Sequence, residues 1–170
     1  MDELKLVFPT EQHETDASEY LQEHVAFGEN SLHGDSFLDK AKSYSDWLLS
    51  INEMLNGKIP SMIFFAVRKS DDRMIGTINV RHPYEGYVQI HGHIGYGVRP
   101  SERGKDYATA MLKLALDYCR DIRLEKVLLT CDKSNIASAK TITKCHGVYE
   151  SESLQPDGSV LQRYWISLLT

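Results

Sequence analysis

The chemistry-bearing part of this 170-residue chain is the stretch Gly95-Tyr-Gly-Val-Arg-Pro-Ser-Glu-Arg-Gly-Lys-Asp-Tyr-Ala108. A glycine-bearing segment runs into a basic turn around Gly104, and that turn opens an amphipathic helix. The first turn of a helix has backbone N–H groups without intrahelical acceptors and carries a partial positive charge. Arg103 and Lys105 add full charges. Together these groups can hold an anion such as a pyrophosphate. On these residues alone, a tight turn whose cations stay solvated is the alternative reading. Just upstream lie His91 and His93. If the segment is a strand, their side chains share one face, and imidazoles titrate in the range that suits proton transfer. His82 adds a third imidazole nearby, but the spacing is no recognised zinc pattern, so no metal is expected.

The elements that must position these residues follow from hydrophobic periodicity. Residues 4–8 alternate as a short strand. Residues 14–28 read as a helix, with Tyr20, Leu21, His24 and Val25 on one stripe, and residues 28–36 as a loop. Residues 38–56 read as one stronger helix, with Tyr44, Trp47, Leu48, Ile51, Met54 and Leu55 at helical spacing, ended by Asn56-Gly57 and Pro60. Residues 62–68 and 74–81 form a hairpin about Ser70-Asp71-Asp72. Residues 87–98 read as one long strand whose Gly92, Gly95 and Gly97 mark a bulge or the close approach of another backbone or a ligand. The next helix carries Ala108, Met111, Leu112, Ala115, Leu116 and Cys119 on its apolar face. Strand 126–131, helix 135–145 and strands 148–154 and 160–168 complete the chain, the last two joined at Pro156-Asp157-Gly158. The expectation is a single α/β domain of the α+β type over 1–170, built on a central mixed, largely antiparallel sheet flanked by helices.

Arg103-Gly104-Lys105-Asp106-Tyr107-Ala108 resembles the cofactor motif of the GNAT acetyltransferases: Arg or Gln, two residues, Gly, one residue, then Gly or Ala. Val98-Arg99-Pro100 is similar to the end of that family's fourth strand, and Asn135-Ile-Ala-Ser138 to the Asn that opens its following helix. The element order matches as well. The resemblance implies a splayed sheet with acetyl-CoA in the V between strands four and five. It implies cofactor contacts from Tyr96, Gly97, Val98, Arg103, Gly104, Lys105, Asp106, Tyr107, Ala108, Asn135 and Ser138. A bulge near Gly95 would aim one N–H at the thioester oxygen. The attacked acetyl group would pass to an amine, a small molecule or a protein amine. The family's base is often a Glu on the fourth strand; here that neighbourhood offers His93 first, with His91, Glu85 and Glu150 as other candidates.

Three departures from the family pattern bear on activity. Asp106 replaces a Gly of the motif. A carboxylate about 5 Å from a phosphate costs roughly 3 kcal/mol at an effective dielectric of about 20, unless it turns away and caps the helix. The family's acidic Tyr, seven residues after the Asn, is Ile142 here, which leaves Ser138 as the group to protonate or bond the sulfur, or as a hydroxyl bonded to its own helix turn. The family's Gly-Phe ending becomes His146-Gly147-Val148, which shifts that turn by one residue. An acyl-CoA-binding sensor or inactive relative is the alternative that Asp106 and Ile142 keep open. Acceptor liners are expected among Tyr20, Trp47, Arg81, His82, Tyr84, Tyr87, Tyr149 and Tyr164, with Trp47 favoured as core.

Composition narrows the partners. A net charge of −5 and no cationic cluster beyond Arg99, Arg103 and Lys105 argue against nucleic acid. The longest apolar run, Met62 to Val67, is far short of a membrane span. The start, MDELKLVF, has no signal-peptide pattern, so a cytoplasmic location is the default expectation. Cys119, Cys131 and Cys145 have no metal-ligand spacing and read as reduced thiols. A homodimer is compatible with the family, and no residue decides it.

Overall fold

A computed structural model describes residues 2–57, 60–82 and 85–169. Seven strands and five helices follow in the order β1 (Leu4–Val7), α1 (Glu14–Ala26), α2 (Tyr44–Leu55), β2 (Ser61–Arg68), β3 (Met74–Arg81), α3 (Tyr87–His91), β4 (Ile94–Val98), α4 (Tyr107–Asp121), β5 (Lys126–Asp132), α5 (Ile136–Lys144), β6 (Val148–Leu154) and β7 (Val160–Ser167). The strands form two antiparallel sheets, β1-β2-β3-β4 and β5-β7-β6. β4 and β5 are therefore the facing edges of two half-sheets.

Helix α4 holds the halves together. Its residues Met111, Leu112, Ala115, Leu116 and Cys119 recur at helical spacing and are buried. They meet Ile75, Ile78 and Ile94 of the first sheet and Val127, Leu129 and Ile166 of the second in one core cluster. A second cluster sits under α1 and α2. There Trp47 stacks on Phe65 with ring centroids 5.6 Å apart and planes 2° from parallel. Trp47 is thus core, as its helical spacing suggested. Its indole Nε1 also donates to the carbonyl oxygens of Asp35 at 3.2 Å and Ser36 at 3.0 Å, which fixes the loop between α1 and α2.

Two elements differ from the periodicity reading. The helix expected over 38–56 is a 3-10 turn at Leu38–Lys40 followed by α2. Ser43 is the reason: its hydroxyl accepts the Asp46 N–H at 3.1 Å and starts a new helix. The long strand expected over 87–98 is a helical turn, α3, and then the short β4. Gly92, at φ 79° and ψ 173°, takes a backbone conformation open essentially only to glycine and ends α3. His91 therefore sits on a helix and His93 on the chain leading into β4, and the shared strand face is absent.

The close approaches that the β4 glycines signalled are made by other backbone. A Cβ on Gly97 would stand 2.6 Å from the His33 carbonyl oxygen, and one on Gly92 would stand 2.8 Å from that of Leu128. The shift expected for the turn after α5 is absent: His146 itself takes the left-handed conformation at φ 66°, and Gly147 has no positive φ.

Candidate active site

The half-sheets meet at His93 and Leu128 and then part. The His93 N–H donates to the Leu128 carbonyl at 2.7 Å, and the Leu128 N–H donates to His93 Nδ1 at 2.9 Å. Beyond this vertex β4 and β5 diverge around a cavity of about 1490 Å³. Its walls include Tyr96, Gly97 and Val98 of β4, Thr130, Cys131 and Asp132 of β5, Asn135 and Ser138 at the start of α5, and Arg103, Gly104, Asp106, Tyr107 and Ala108 at the start of α4.

The β4 edge facing this cavity carries open backbone groups. Antiparallel ladders alternate between residues bonded to the partner and residues turned outward. The Arg81 N–H bonds the His93 carbonyl and the Arg99 N–H bonds that of Ile75, so the odd-numbered residues from 93 to 99 face β3. Ile94, Tyr96 and Val98 consequently turn their N–H and C=O groups toward the V. The expected bulge near Gly95 is absent: β3 and β4 stay in register from Val80–Ile94 to Gly76–Val98. The Gly95 N–H is instead held by Asn79 Oδ1 at 3.1 Å.

The wide end of the V carries unpartnered backbone donors. Among the described residues, no acceptor takes the backbone N–H groups of Gly104, Lys105, Asp106, Tyr107 or Ala108. Arg103 does not simply face solvent. Its Nε donates to the Val98 carbonyl at 3.0 Å, and its two terminal nitrogens grip Glu29 at 2.5 and 2.9 Å. These bonds hold the Glu29 carboxyl down to about 2. Arg103 therefore ties the anion loop to β4 and to the α1–α2 loop. Lys105 is bound to Glu102 at 2.9 Å and takes no part in the cavity wall.

Asp106 occupies the N-terminal boundary of α4 in a left-handed conformation, φ 64°. This explains the family's Gly at that position, since Asp adopts the conformation only at some cost. Its carboxylate makes no bond to the helix backbone, so the simple capping expectation fails. Oδ1 accepts instead from Thr109 Oγ1 at 2.8 Å and from Lys144 Nζ at 2.7 Å. The carboxylate pKa is lowered, first by the bond from Lys144. The charge that looked repulsive is paired with a cation from α5.

Near the vertex the donors come from unexpected places. Tyr96 reaches across the V, and its hydroxyl lies 2.8 Å from Ser138 Oγ. Burial pushes its pKa up to about 12. The Ser138 hydroxyl thus pairs with Tyr96 and not with its own helix, while the Ser138 N–H is capped by Asn135 Oδ1 at 3.0 Å. Ile142 is wholly buried. On the opposite wall, Asn79 Nδ2 donates to Ser36 Oγ at 3.2 Å, and Thr77 Oγ1 donates to the His33 carbonyl at 3.0 Å. These bonds tie residues 33–36 to β3, and Gly34 there lies against the Gly95–Tyr96 backbone of β4. Asp35, 5% exposed, lines the cavity between them. Burial, the largest influence, raises its carboxyl pKa, and the neighbouring Asp39 charge adds to the rise.

The other candidates fall elsewhere. His93 is 2% exposed, and burial lowers its pKa to about 4. Its Nδ1 is engaged at the vertex, and the residue is no part of the cavity wall. Glu150 accepts from Arg163 Nε and Trp165 Nε1, both at 2.7 Å, on the outer hairpin. Arg81, Tyr87 and His91 line the cavity; Tyr20, Trp47, His82, Glu85, Tyr149 and Tyr164 do not. Tyr84 lies outside the described residues. Asp35 and the Tyr96 side chain were missed because loop and strand residues of ordinary type carry no local signal.

Two splayed antiparallel half-sheets, a cavity between their facing edges and a helix start with unpartnered backbone N–H groups form the frame of an acyltransferase. The family model of the acetyltransferase (GNAT) domain matches residues 6–148. The chain belongs to this family and is an N-acetyltransferase. No curated protein sequence matches it. Solved structures show the same fold. The ribosomal-protein-S5-alanine acetyltransferase of Vibrio fischeri superposes with a TM-score of 0.76 at 15% identity, over 98% of this chain and 94% of that one. The Salmonella typhimurium acetyltransferase that modifies the N-terminal serine of ribosomal protein L7/L12 gives 0.73 at 14%, over 97% and 95%. The spermidine N-acetyltransferase of Vibrio cholerae, a dodecamer, gives 0.70 at 16%, over 98% and 94%. No helix among the described residues is long and apolar enough to cross a membrane.

Proposed function

We propose that this chain binds acetyl-CoA in the V and passes the acetyl group to an amine by direct attack, with Asp35 as base and the Tyr96–Ser138 pair as proton donor. The observation that carries this reading is the continuity of the open β4 edge with the unpartnered N–H groups at the start of α4. Acetyl-CoA supplies the reactive thioester. The N–H groups of Gly104 to Ala108 bind its pyrophosphate, supported by Lys144, and Tyr96 and Val98 bond its arm as an added strand would. The Ile94 N–H, beside the vertex, is placed to stabilise charge developing on the thioester oxygen.

Asp35 takes the proton of the attacking amine. Its raised pKa makes it a better proton acceptor than an ordinary carboxylate. Tyr96, whose proton is fully present at neutral pH, donates toward the departing sulfur and is held in place by Ser138. His93 remains at the vertex as the residue that joins the half-sheets. Pairing of Asp106 with Lys144 removes the main argument for an inactive relative.

Calorimetric titration with acetyl-CoA, with CoA as control, tests the binding half. Micromolar affinity is expected, and absence of binding at millimolar acetyl-CoA overturns the reading. CoA release on addition of primary amines tests the transfer half.

A further inference from the structure

The acceptor end of the cavity contains a cation without a counter-charge. Arg81, at the end of β3, lines the cavity. Its Nε donates to the Gly92 carbonyl at 3.2 Å, and its guanidinium carbon stands 5.4 Å from the centre of the Tyr87 ring. Among the described residues no carboxylate pairs with it, although nearly every other arginine of the chain is matched with an acid. Its Nη2 lies 3.4 Å from where a Cβ on Gly95 would stand, so the charge rests on β4 close to the vertex. The Tyr87 ring also lies against His91, with centroids 4.1 Å apart and planes tilted by 33°, and His91 lines the same wall.

Holding a partly buried guanidinium without a carboxylate partner is costly. The cost makes sense if a ligand supplies the missing charge. The geometry points to an acceptor that carries a carboxylate close to its reacting amine, with Arg81 as the residue that binds that carboxylate. A planar guanidinium matches a carboxylate through two parallel N–H···O bonds. A single cation beside an imidazole whose protonation burial and the Arg81 charge both disfavour suits one negative charge better than a phosphate dianion. Asp35 and Arg81 would then receive the two ends of an amino acid-like acceptor. This assignment rests on the amine-transfer reading above and narrows its substrate class.

The test reads the anion site without turnover. The full-length protein, saturated with CoA, is titrated with sodium acetate, with inorganic phosphate and with sodium chloride while the Arg81 side-chain and His91 ring resonances are followed by NMR. Saturable acetate-dependent shifts, lost in Arg81→Met while CoA affinity is unchanged, are the expected result. No saturable response to acetate, or one to phosphate alone, overturns the assignment. A second arm compares transfer to amino acids with transfer to their carboxamides. A preference of at least about tenfold in kcat/KM for the carboxylate, abolished by Arg81→Met, corresponds to one charged contact; equal rates for the two members count against it. The NMR arm is independent of catalysis, so failure of the carboxylate site and failure of acetyl transfer are separately visible.

Discussion

His93 and Leu128 are joined twice, by the His93 N–H to the Leu128 carbonyl and by the Leu128 N–H to His93 Nδ1, where the chain entering β4 meets β5. The imidazole acts as a surrogate strand residue. It supplies the acceptor that a second ladder bond would need while leaving β4 free to diverge from β5. That arrangement requires a neutral ring, and it has a consequence for stability.

The pKa of His93 falls from 6.5 to about 4 on folding, with burial as the main cause. Between these values the unfolded chain binds more protons than the folded one, so stability rises with pH across this window and is lost as pH falls through it. The gap corresponds to roughly 3 kcal/mol at most. Thermal unfolding from pH 7 to pH 4 should show this loss. His93→Gln should be less stable at pH 7 but flatter across the window; a slope equal to that of the parent would remove His93 as its source.

Asp35→Asn keeps an oxygen for the Asp39 N–H, which Asp35 Oδ2 now accepts at 3.1 Å, but it cannot take a proton. The expected loss in kcat is about 100-fold or more, the usual scale for a positioned base, with acetyl-CoA affinity unchanged. Because burial raises the Asp35 pKa, the parent's rate should climb with pH through a value above the ordinary carboxylate range, and the limb should vanish in the variant. A limb that survives in Asp35→Asn assigns the base to another residue.

Tyr96→Phe separates the side chain of this residue from its backbone. The β4 edge groups remain, so acetyl-CoA should bind as before, while kcat falls by about tenfold to 100-fold if the phenol serves the departing sulfur. Ser138→Ala should cost less, because it removes only the partner 2.8 Å from the hydroxyl. Equal kcat values for Tyr96→Phe and the parent would show that the thiolate leaves unaided.

The sequence revealed the frame more fully than the centre. Motif spacing marked the family, and periodicity marked α4, β5 and both hairpins, because each is a local pattern repeated over several residues. Gly92 was visible as an irregularity, yet whether it bent a strand or stopped a helix depended on Leu128, 36 positions away. Asp35, Arg81 and the Tyr96–Ser138 pair were harder still. Their roles arise from where the α1–α2 loop and α5 meet β4, and no window of sequence contains both sides of such a contact. The repulsion inferred for Asp106 was sound electrostatics applied without its partner, since Lys144 comes from a different helix.

That pair supports the sharpest test of the anion end. Lys144→Ala leaves the Asp106 carboxylate uncompensated beside the proposed pyrophosphate site and removes a cation at the same time. CoA affinity should fall about three- to tenfold, a modest effect because both side chains are half exposed and screened. Asp106→Gly relieves the left-handed strain and frees Lys144 for the phosphates, so affinity should rise or hold. The double variant should recover most of what Lys144→Ala loses, which makes the two changes non-additive. Calorimetry on the four proteins closes the cycle. If the double variant binds CoA as poorly as Lys144→Ala, the lysine acts on the phosphates directly and neutralisation of Asp106 is not its function.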